Sequence, residues 1–234
     1  MKIFHTEISS GNNNHISLLE RDDANFSAPF HFHQEVELVY IKESYGKRII
    51  GDKIEPFEAG DMVFIGSNLP HVWLNDEIFY RGIAGLRAKA IVLYFNTCVM
   101  GPLFYNMKET AKINSFLKKG ERGLHILGKT NKIIAEKLEL LLQKKDFEVI
   151  IGLFEIFNIL ANSNETEFIT SDGYNTSIEN AENDRLSDIF KYVHENYKAD
   201  IPLATIAAIA NLTPQSFCRM FKKRANKHFI EHLN

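Results

Sequence analysis

One segment near the C-terminus, IPLATIAAIANLTPQSFCRMFKKR, constrains the fold more than any other part of the chain. Pro214 suits the first turn of a helix, and Thr213 before it is a good N-cap. Asn211 lies where the chain must leave the preceding helix, and asparagine tolerates the left-handed conformation well. Ala207 is small, as a close crossing of two helices requires. The pattern predicts two short helices joined by a tight turn.

The second of these helices is expected to have two different faces. Phe217, Met220 and Phe221 form an apolar inner stripe, while positions 214–228 hold five basic residues and no acidic one. Such a helix can enter the DNA major groove, where it contacts base edges and phosphates. The alternative is a helical hairpin with a solvated basic face. The outer stripe, at i, i+3, i+4 and i+7, consists of Gln215, Cys218, Arg219 and Lys222.

The rest of the chain changes its hydrophobic period once. Residues 1–95 contain short runs rich in Val, Ile, Phe and Tyr, separated by Gly and Pro, which is typical of a β-sandwich or small barrel. A helical period follows from about 103 to 161. The next stretch, at 162–183, is rich in Asn, Ser, Thr and Glu and predicts a linker. The pattern therefore predicts an α+β fold with domains at 1–161 and 184–234, the latter opening with a further helix.

The last helix of the first domain, DFEVIIGLFEIFNILAN, is apolar well beyond a single stripe. One side can pack on the β domain, and the other side needs a second cover. That cover is either another part of the same chain or a second copy of the protein. We favour the second explanation, which predicts a homodimer formed through residues 130–161.

An alternating motif, PFHFHQEVEL, marks the β region. Side chains two apart in a strand share a face, so His31, His33 and Glu37 are expected on one face of one strand. Imidazoles combined with a carboxylate suit zinc, iron, nickel or manganese. His5, His15 and His125 have no partners at ligand spacing and are expected to be ordinary surface or core residues. The alternating motif therefore predicts a polar site inside the β domain.

Composition excludes several classes of protein. The 234 residues carry a net charge of −3, so any attraction to nucleic acid must be local. Two distant cysteines argue against a disulfide framework and fit a reducing compartment. There is no signal-peptide core, no apolar run near the ~20 residues of a membrane helix, and no phosphate loop, nucleophile elbow or HExxH motif. We expect a soluble, cytoplasmic protein without membrane contact.

At the segment DIPLATIAAIANLTPQSFCRMFKKRANKHFIEHLN the chain resembles the DNA-binding domain of AraC/XylS-type bacterial transcription regulators. PFHFHQEVELVY, EAGDMVFIGSNLPHVW and INSFLKKGERGLHILG are similar to the cupin-like effector domain of the same family. The resemblance extends over nearly the whole chain. It implies a ligand-responsive regulator that binds double-stranded DNA. Its implied base readers are Gln215, Cys218 and Arg219, and its implied phosphate contacts are Ser216, Lys222 and Lys223.

The resemblance also implies that His31, His33, Glu37 and the distant His71 converge inside a cupin-like barrel. Three interpretations remain open: a metal held by these four residues, a metal-free pocket for a small effector such as a sugar, or a structural cluster. Trp73 could stack on a sugar face or fill the core. Because regulators of this type keep the cupin scaffold without cupin chemistry, we expect no enzymatic activity. The alternative is a metal-dependent cupin enzyme with a helical tail.

One departure from the family concerns the end of the chain. The family's DNA-binding domain has two helix-turn-helix units joined by a long helix, and this chain ends at HFIEHLN, where the joining helix would begin. We therefore expect only the first unit here, in a fragment of a longer regulator or in a truncated, dimerising antagonist of one. A single unit makes fewer phosphate contacts and is expected to bind DNA weakly.

Overall fold

The computed structural model describes residues 3–6, 15–174, 192 and 202–225. Within these ranges, the side chains at 5, 98, 99 and 220–225 are not described. The helix predicted to open the C-terminal domain and the second half of the predicted linker lie outside the described residues. No helix among the described residues is long and apolar enough to span a membrane.

The N-terminal part is built from two sheets, as the short apolar runs predict. The five-stranded sheet has the order β1-β3-β8-β5-β6, and the six-stranded sheet has the order β11-β10-β7-β4-β9-β2. Nearly all neighbouring strands are antiparallel, and the described strands do not close into a continuous barrel. The strands are β1 (Phe4–His5), β2 (Ile16–Asp23), β3 (His31–Phe32), β4 (Val36–Glu43), β5 (Gly46–Ile50), β6 (Lys53–Phe57), β7 (Met62–Ile65), β8 (His71–Asn75), β9 (Ala88–Phe95), β10 (Leu124–Ile126) and β11 (Thr166–Phe168).

Helices cover the outer face of the six-stranded sheet, so the fold class is α+β as predicted. The rings of Phe64 on β7 and Phe95 on β9 lie 6.3 Å and 5.7 Å from the ring of Phe157. The four helices of this part are α1 (Gly101–Asn106), α2 (Ala111–Gly120), α3 (Gly128–Leu141) and α4 (Phe147–Ala161). Two 3-10 helices, Glu77–Arg81 and Thr97–Met100, lie before and after β9.

Alternation along β4 separates two hydrophobic cores. Val36 and Leu38 point outward and pack with the helices. Val39 and Ile41 point between the sheets and pack with Trp73, among others. Glu37 follows the same alternation and lies on the inner side, because side chains two apart share a face. The side chain of Glu37 therefore points into the core between the two sheets.

The structure corrects the prediction that one strand carries the motif. His31 lies on β3 of the five-stranded sheet, whereas Glu37 lies on β4 of the six-stranded sheet. His33 lies in the turn between these strands. The three side chains still share a site, because the chain crosses from one sheet to the other between them.

The first part of the predicted linker belongs to the folded domain. β11 pairs with β10, and Ile169 and Thr170 behind it are buried. The backbone nitrogen of Ile169 donates to the carbonyl of Gly123 at 3.0 Å. The domain therefore continues past the predicted boundary at 161, at least as far as these contacts. The polar composition of this stretch gives no strand signal, so the sequence does not predict the short edge strand β11.

A buried ionic cluster joins the two sheets away from the histidines. Arg48 on β5 bonds to Asp61, which lies next to β7, and it donates to Glu55 at 3.0 Å. His125 Nε2 on β10 lies 2.8 Å from the other Asp61 oxygen. His125 lies outside the histidine cluster, as predicted, and its partner is a structural carboxylate. The partners of Asp61 come from strands that are distant in sequence.

The C-terminal described unit has the predicted hairpin geometry. It consists of α5 (Leu203–Ile209) and α6 (Pro214–Ala225). Asn211 has φ of 52°, which confirms the left-handed residue predicted for the turn. Thr213 caps α6, since its Oγ1 accepts a hydrogen bond from the Ser216 backbone nitrogen at 3.2 Å. Ala207 and Phe217 are buried where the two helices meet.

Candidate functional site

Three histidines and one glutamate meet between the two sheets. His31 on β3 lies directly opposite His71 on β8, and their ring centroids are 4.3 Å apart. One ring nitrogen each of His31, His33 and His71 lies within 4.8 Å of the others. Glu37 approaches from β4, and all four side chains are buried. The structure therefore brings together the four residues that the sequence selected from two separate motifs.

Backbone carbonyls fix the tautomer of each histidine. The Nδ1 atoms of His31, His33 and His71 lie 2.8, 3.0 and 2.8 Å from the carbonyl oxygens of residues 29, 35 and 69. A carbonyl oxygen can only accept, so each Nδ1 carries its hydrogen. In a neutral imidazole this leaves Nε2 with a free lone pair. Each ring therefore offers Nε2 as a ligand or acceptor, an orientation typical of metal-binding histidines.

The Glu37 carboxylate lies against two of these nitrogens. Its Oε2 is 2.9 Å from His71 Nε2 and 3.2 Å from His33 Nε2. His71 Nε2 is buried and makes no well-aligned hydrogen bond, despite the short distance. A neutral ring whose Nδ1 is protonated would place a lone pair against the carboxylate. Only a proton or a cation between these atoms relieves that repulsion.

Electrostatics keeps the glutamate charged and one histidine neutral. Burial alone would raise the pKa of Glu37, but the adjacent imidazoles of His71 and His33 hold it well below its usual range. Burial lowers the pKa of His31 to about 4, and the neighbouring His71 adds to this effect. At neutral pH the site therefore contains a buried carboxylate and at least one neutral imidazole. This donor set fits a divalent zinc, iron, nickel or manganese ion.

A cavity of about 270 Å³ opens from this cluster. His31 and Glu37 form part of its wall, and Trp73 forms another part, with its ring 5.8 Å from that of His71. Strands β4 and β9 supply an apolar floor. The volume lies near the lower end of the range for small-molecule sites. The remaining lining residues are Arg21, Asp23, Phe26, Ser27, Ala28, Val39, Ile41, Ala90, Val92 and Tyr94.

Arg21 and Tyr94 are among the polar residues of this cavity that the sequence does not predict. Tyr94 pairs with Glu37 in the register of β4 and β9. Burial and then the charge of Glu37 raise the pKa of Tyr94 far above its usual value, so the hydroxyl stays protonated. The alternation of β2 and β9 could have placed both residues on the inner face. Neither residue belongs to a metal-like motif, so nothing in the sequence drew attention to them.

The candidate DNA-contacting side chains lie on one helix. Gln215 and Arg219 are exposed on α6, while Ser216 and Cys218 are half-buried. Arg219 Nη2 lies 3.5 Å from Ser216 Oγ. Cys218 is a free thiol that packs partly against the hairpin core. Lys222 and Lys223 belong to α6, but their side chains lie outside the described part of the chain.

Comparison with known proteins finds fold similarity at low sequence identity. No protein-family model and no curated protein sequence matches the chain. The AraC-like transcriptional activator CuxR is 11% identical with a TM-score of 0.41, over 86% of this chain and 65% of CuxR. Fatty-acid-bound ToxT from Vibrio cholerae is 15% identical with a TM-score of 0.44, over 95% of this chain and 78% of ToxT.

A cupin barrel protein from Rhodopseudomonas palustris matches a smaller part of the chain. It is 20% identical with a TM-score of 0.28, over 37% of this chain and 55% of that protein. These TM-scores are too low to carry a functional inference. Function therefore has to be inferred from the chain's own residues.

Proposed function

We propose that the protein is a ligand-responsive, sequence-specific DNA-binding transcription regulator of the AraC/XylS type, not an enzyme. The observation that carries this proposal is the α5–α6 hairpin, with its left-handed Asn211, its Thr213 cap and its exposed polar face. The same chain contains a cavity whose wall includes the buried His31 and Glu37. One unit can therefore read DNA while the other senses a small molecule. In this proposal α6 lies in the major groove.

The candidate DNA-contacting residues of α6 divide into two chemical roles. Arg219 can donate two hydrogen bonds to a guanine edge, and Gln215 can pair with adenine. Ser216, Lys222 and Lys223 suit phosphate contacts, which position the helix without reading sequence. Cys218 is chemically weak as a reader, and its packing against the hairpin core reduces its reach further. Specificity is therefore assigned mainly to Arg219.

Selection of bound sites from a random double-stranded library, with the full chain at low salt, tests DNA reading. Arg219→Ala is expected to weaken binding to the selected sequence by about 10- to 100-fold and to relax one position of it. Lys222→Ala should weaken all sequences alike and reduce the salt dependence. Arg87→Ala is the matched control, since Arg87 pairs with Asp22 on the β domain. An unchanged motif and affinity in Arg219→Ala would refute the assignment.

The effector is proposed to be a small molecule, with a sugar as the class that the family resemblance favours. Its proposed site consists of His31, Glu37 and Trp73 on the cavity wall, with His33 and His71 beside them in the histidine cluster. An indole face can pack on the apolar face of a sugar ring. The histidine nitrogens and the glutamate can act through a bound metal or by hydrogen bonds to the effector.

Of these two modes, we propose that a divalent metal occupies the histidine cluster. Support comes from the three fixed tautomers and from the short, poorly aligned approach of His71 Nε2 to Glu37. His31, His33, His71 and Glu37 would hold the ion, which would supply a positive charge at the cavity's closed end. The same donor set is the observation that favours the alternative, a metal-dependent cupin enzyme.

Elemental analysis of the full chain, after supply of zinc, iron, nickel and manganese, tests the metal. We expect about one ion per chain, and at least a tenfold loss of metal affinity in His31→Gln and His71→Gln, which remove direct ligands. His125→Gln is the control, since His125 pairs with Asp61 elsewhere. A wild-type protein that binds no ion would rule out the metal. Metal-dependent turnover of a small molecule would favour the enzyme instead.

A homodimer through α3 and α4 completes the proposal. Ile133 and Leu140 on α3, and Phe147 and Ile151 on α4, are between 46% and 68% exposed. A groove between the helices is flanked by charged residues, including the Lys137–Glu155 pair at 2.7 Å. An apolar centre with a charged rim is the usual anatomy of a protein interface. These exposed apolar side chains support the proposal that a second copy of the chain covers α3 and α4.

Sedimentation of the full chain at micromolar concentration tests this interface. The wild type is expected to be a dimer, while Leu140→Glu and Phe147→Glu should be monomers, because each places a charge in the apolar centre. Ile83→Glu, at a position 48% exposed in a loop after β8, is the control and should remain dimeric. A monomeric wild type, or variants that sediment like the wild type, would contradict the proposed surface.

A further inference from the structure

The cavity is polar at places that the histidine motif does not explain. On the cavity floor, the pairing of β4 with β9 places side chains opposite each other in three rows. The rows are Glu37 with Tyr94, Val39 with Val92, and Ile41 with Ala90. Strand β2 extends these rows with Ser17, Leu19 and Arg21. The middle row of the floor is therefore apolar. One end row carries the acidic Glu37 and the phenolic Tyr94, and β2 adds the cationic Arg21 to the other end row.

Arg21 differs from its neighbours on β2 in having no ionic partner. The flanking residues point the other way and are paired, Glu20 with Lys42 at 2.8 Å and Asp22 with Arg87 at 2.6 Å. Arg21 itself forms no ion pair with a carboxylate among the described residues, although it lines the cavity. A guanidinium with several free donors is well suited to bind a carboxylate.

Tyr94 connects this guanidinium to the histidine cluster. Its hydroxyl interacts with Glu37 on one side and with Arg21 on the other. Glu37 is already engaged by His33 and His71, so it does not neutralise Arg21. The second acidic residue of the wall, Asp23, lies two residues from Arg21 on the same face of β2, but the two form no ion pair in the described structure. The guanidinium of Arg21 therefore lines the cavity without an ion pair to a carboxylate of the described residues, and the Tyr94 hydroxyl helps to position it.

We propose that the cavity binds a small organic carboxylate, with the carboxylate on Arg21 and the body of the molecule between Val39, Val92 and Trp73. The apolar floor favours an aromatic or short aliphatic body, and a sugar acid has the same anionic group. This inference rests on the proposed sensing function and names the class of its effector. It uses residues of the cavity outside the histidine motif.

Binding of matched acid and amide pairs to the full chain tests this proposal. The probes are benzoate with benzamide, butyrate with butyramide, and glucuronate with glucose, measured by calorimetry and thermal shift. At least one acid should bind about tenfold more tightly than its neutral partner, because a charged hydrogen bond is lost in the neutral compound. A panel in which no acid binds more tightly than its neutral partner overturns the proposal.

Variants then identify the contact. Arg21→Gln should abolish the preference for the acid, and Tyr94→Phe should reduce it, while Arg87→Gln leaves it unchanged. Arg21 is exposed, so its replacement is not expected to affect folding, which melting curves would verify. An acid preference that survives Arg21→Gln but disappears with a chelator would assign the carboxylate to a metal and overturn the Arg21 contact.

The test also separates this inference from the regulator proposal. It measures ligand binding without DNA, whereas the regulator proposal depends on DNA selection. Acid binding without DNA binding would refute the regulator and keep the carboxylate site. Sequence-specific DNA binding by a chain that prefers no acid would refute the carboxylate site alone.

Discussion

The contact between the Glu37 carboxylate and the Nε2 atoms of His33 and His71 is the constraint on which the rest of the site depends. Removing a carboxylate from water costs several kcal/mol, and only close partners offset that cost. These partners come from the five-stranded sheet and its following turn, while Glu37 comes from the six-stranded sheet. The cluster therefore joins the sheets at the point where the cavity begins. Arg48, Asp61 and His125 form a second polar connection.

Side chains alternate along β4 and β9, so these strands contact the cavity on one face and the helices on the other. Each inward residue of β4 and β9 that lines the cavity has neighbours on the same strand that pack against α3 and α4. Cavity and helical surface are thus two faces of one sheet. Because protein interiors are closely packed, a molecule that expands the inner core would shift the strands under the helices. In the proposed regulator, this would be a physical route from effector binding to the arrangement of the proposed dimer, and so to the spacing of two copies of α6.

Local patterns predicted the parts of the molecule that local chemistry determines. Turn and cap residues predicted the hairpin, because Asn211 and Thr213 act on neighbouring backbone atoms. The change from a strand period to a helical period predicted the α+β class. Of the candidate site, the sequence identified the members of the histidine cluster through their likeness to cupin motifs. It predicted neither the strand change between His31 and Glu37 nor the edge strand β11, because both depend on pairing with distant strands.

The residues that the sequence missed share one physical cause. His125 meets Asp61 only because β10 pairs with β7, and Arg21 reaches the cavity only through the register of β2 with β9. Such contacts are set by tertiary pairing, which a single sequence does not display. Arg21 in particular stands among charged neighbours and reads as an ordinary surface residue. That it forms no ion pair with a carboxylate of the described residues becomes visible only when the paired charges around it are known.

The account is tested most directly by filling the cavity with a larger side chain. The quantity to measure is the affinity of the full chain for the DNA sequence selected by the wild type. Ala90 is buried on the cavity floor, so Ala90→Leu and Ala90→Phe would occupy the effector's space. If cavity and DNA-reading helix are coupled, DNA affinity should change by about fivefold or more, with the protein still folded. An affinity identical to that of the wild type, in folded variants that no longer bind the effector, would contradict the account.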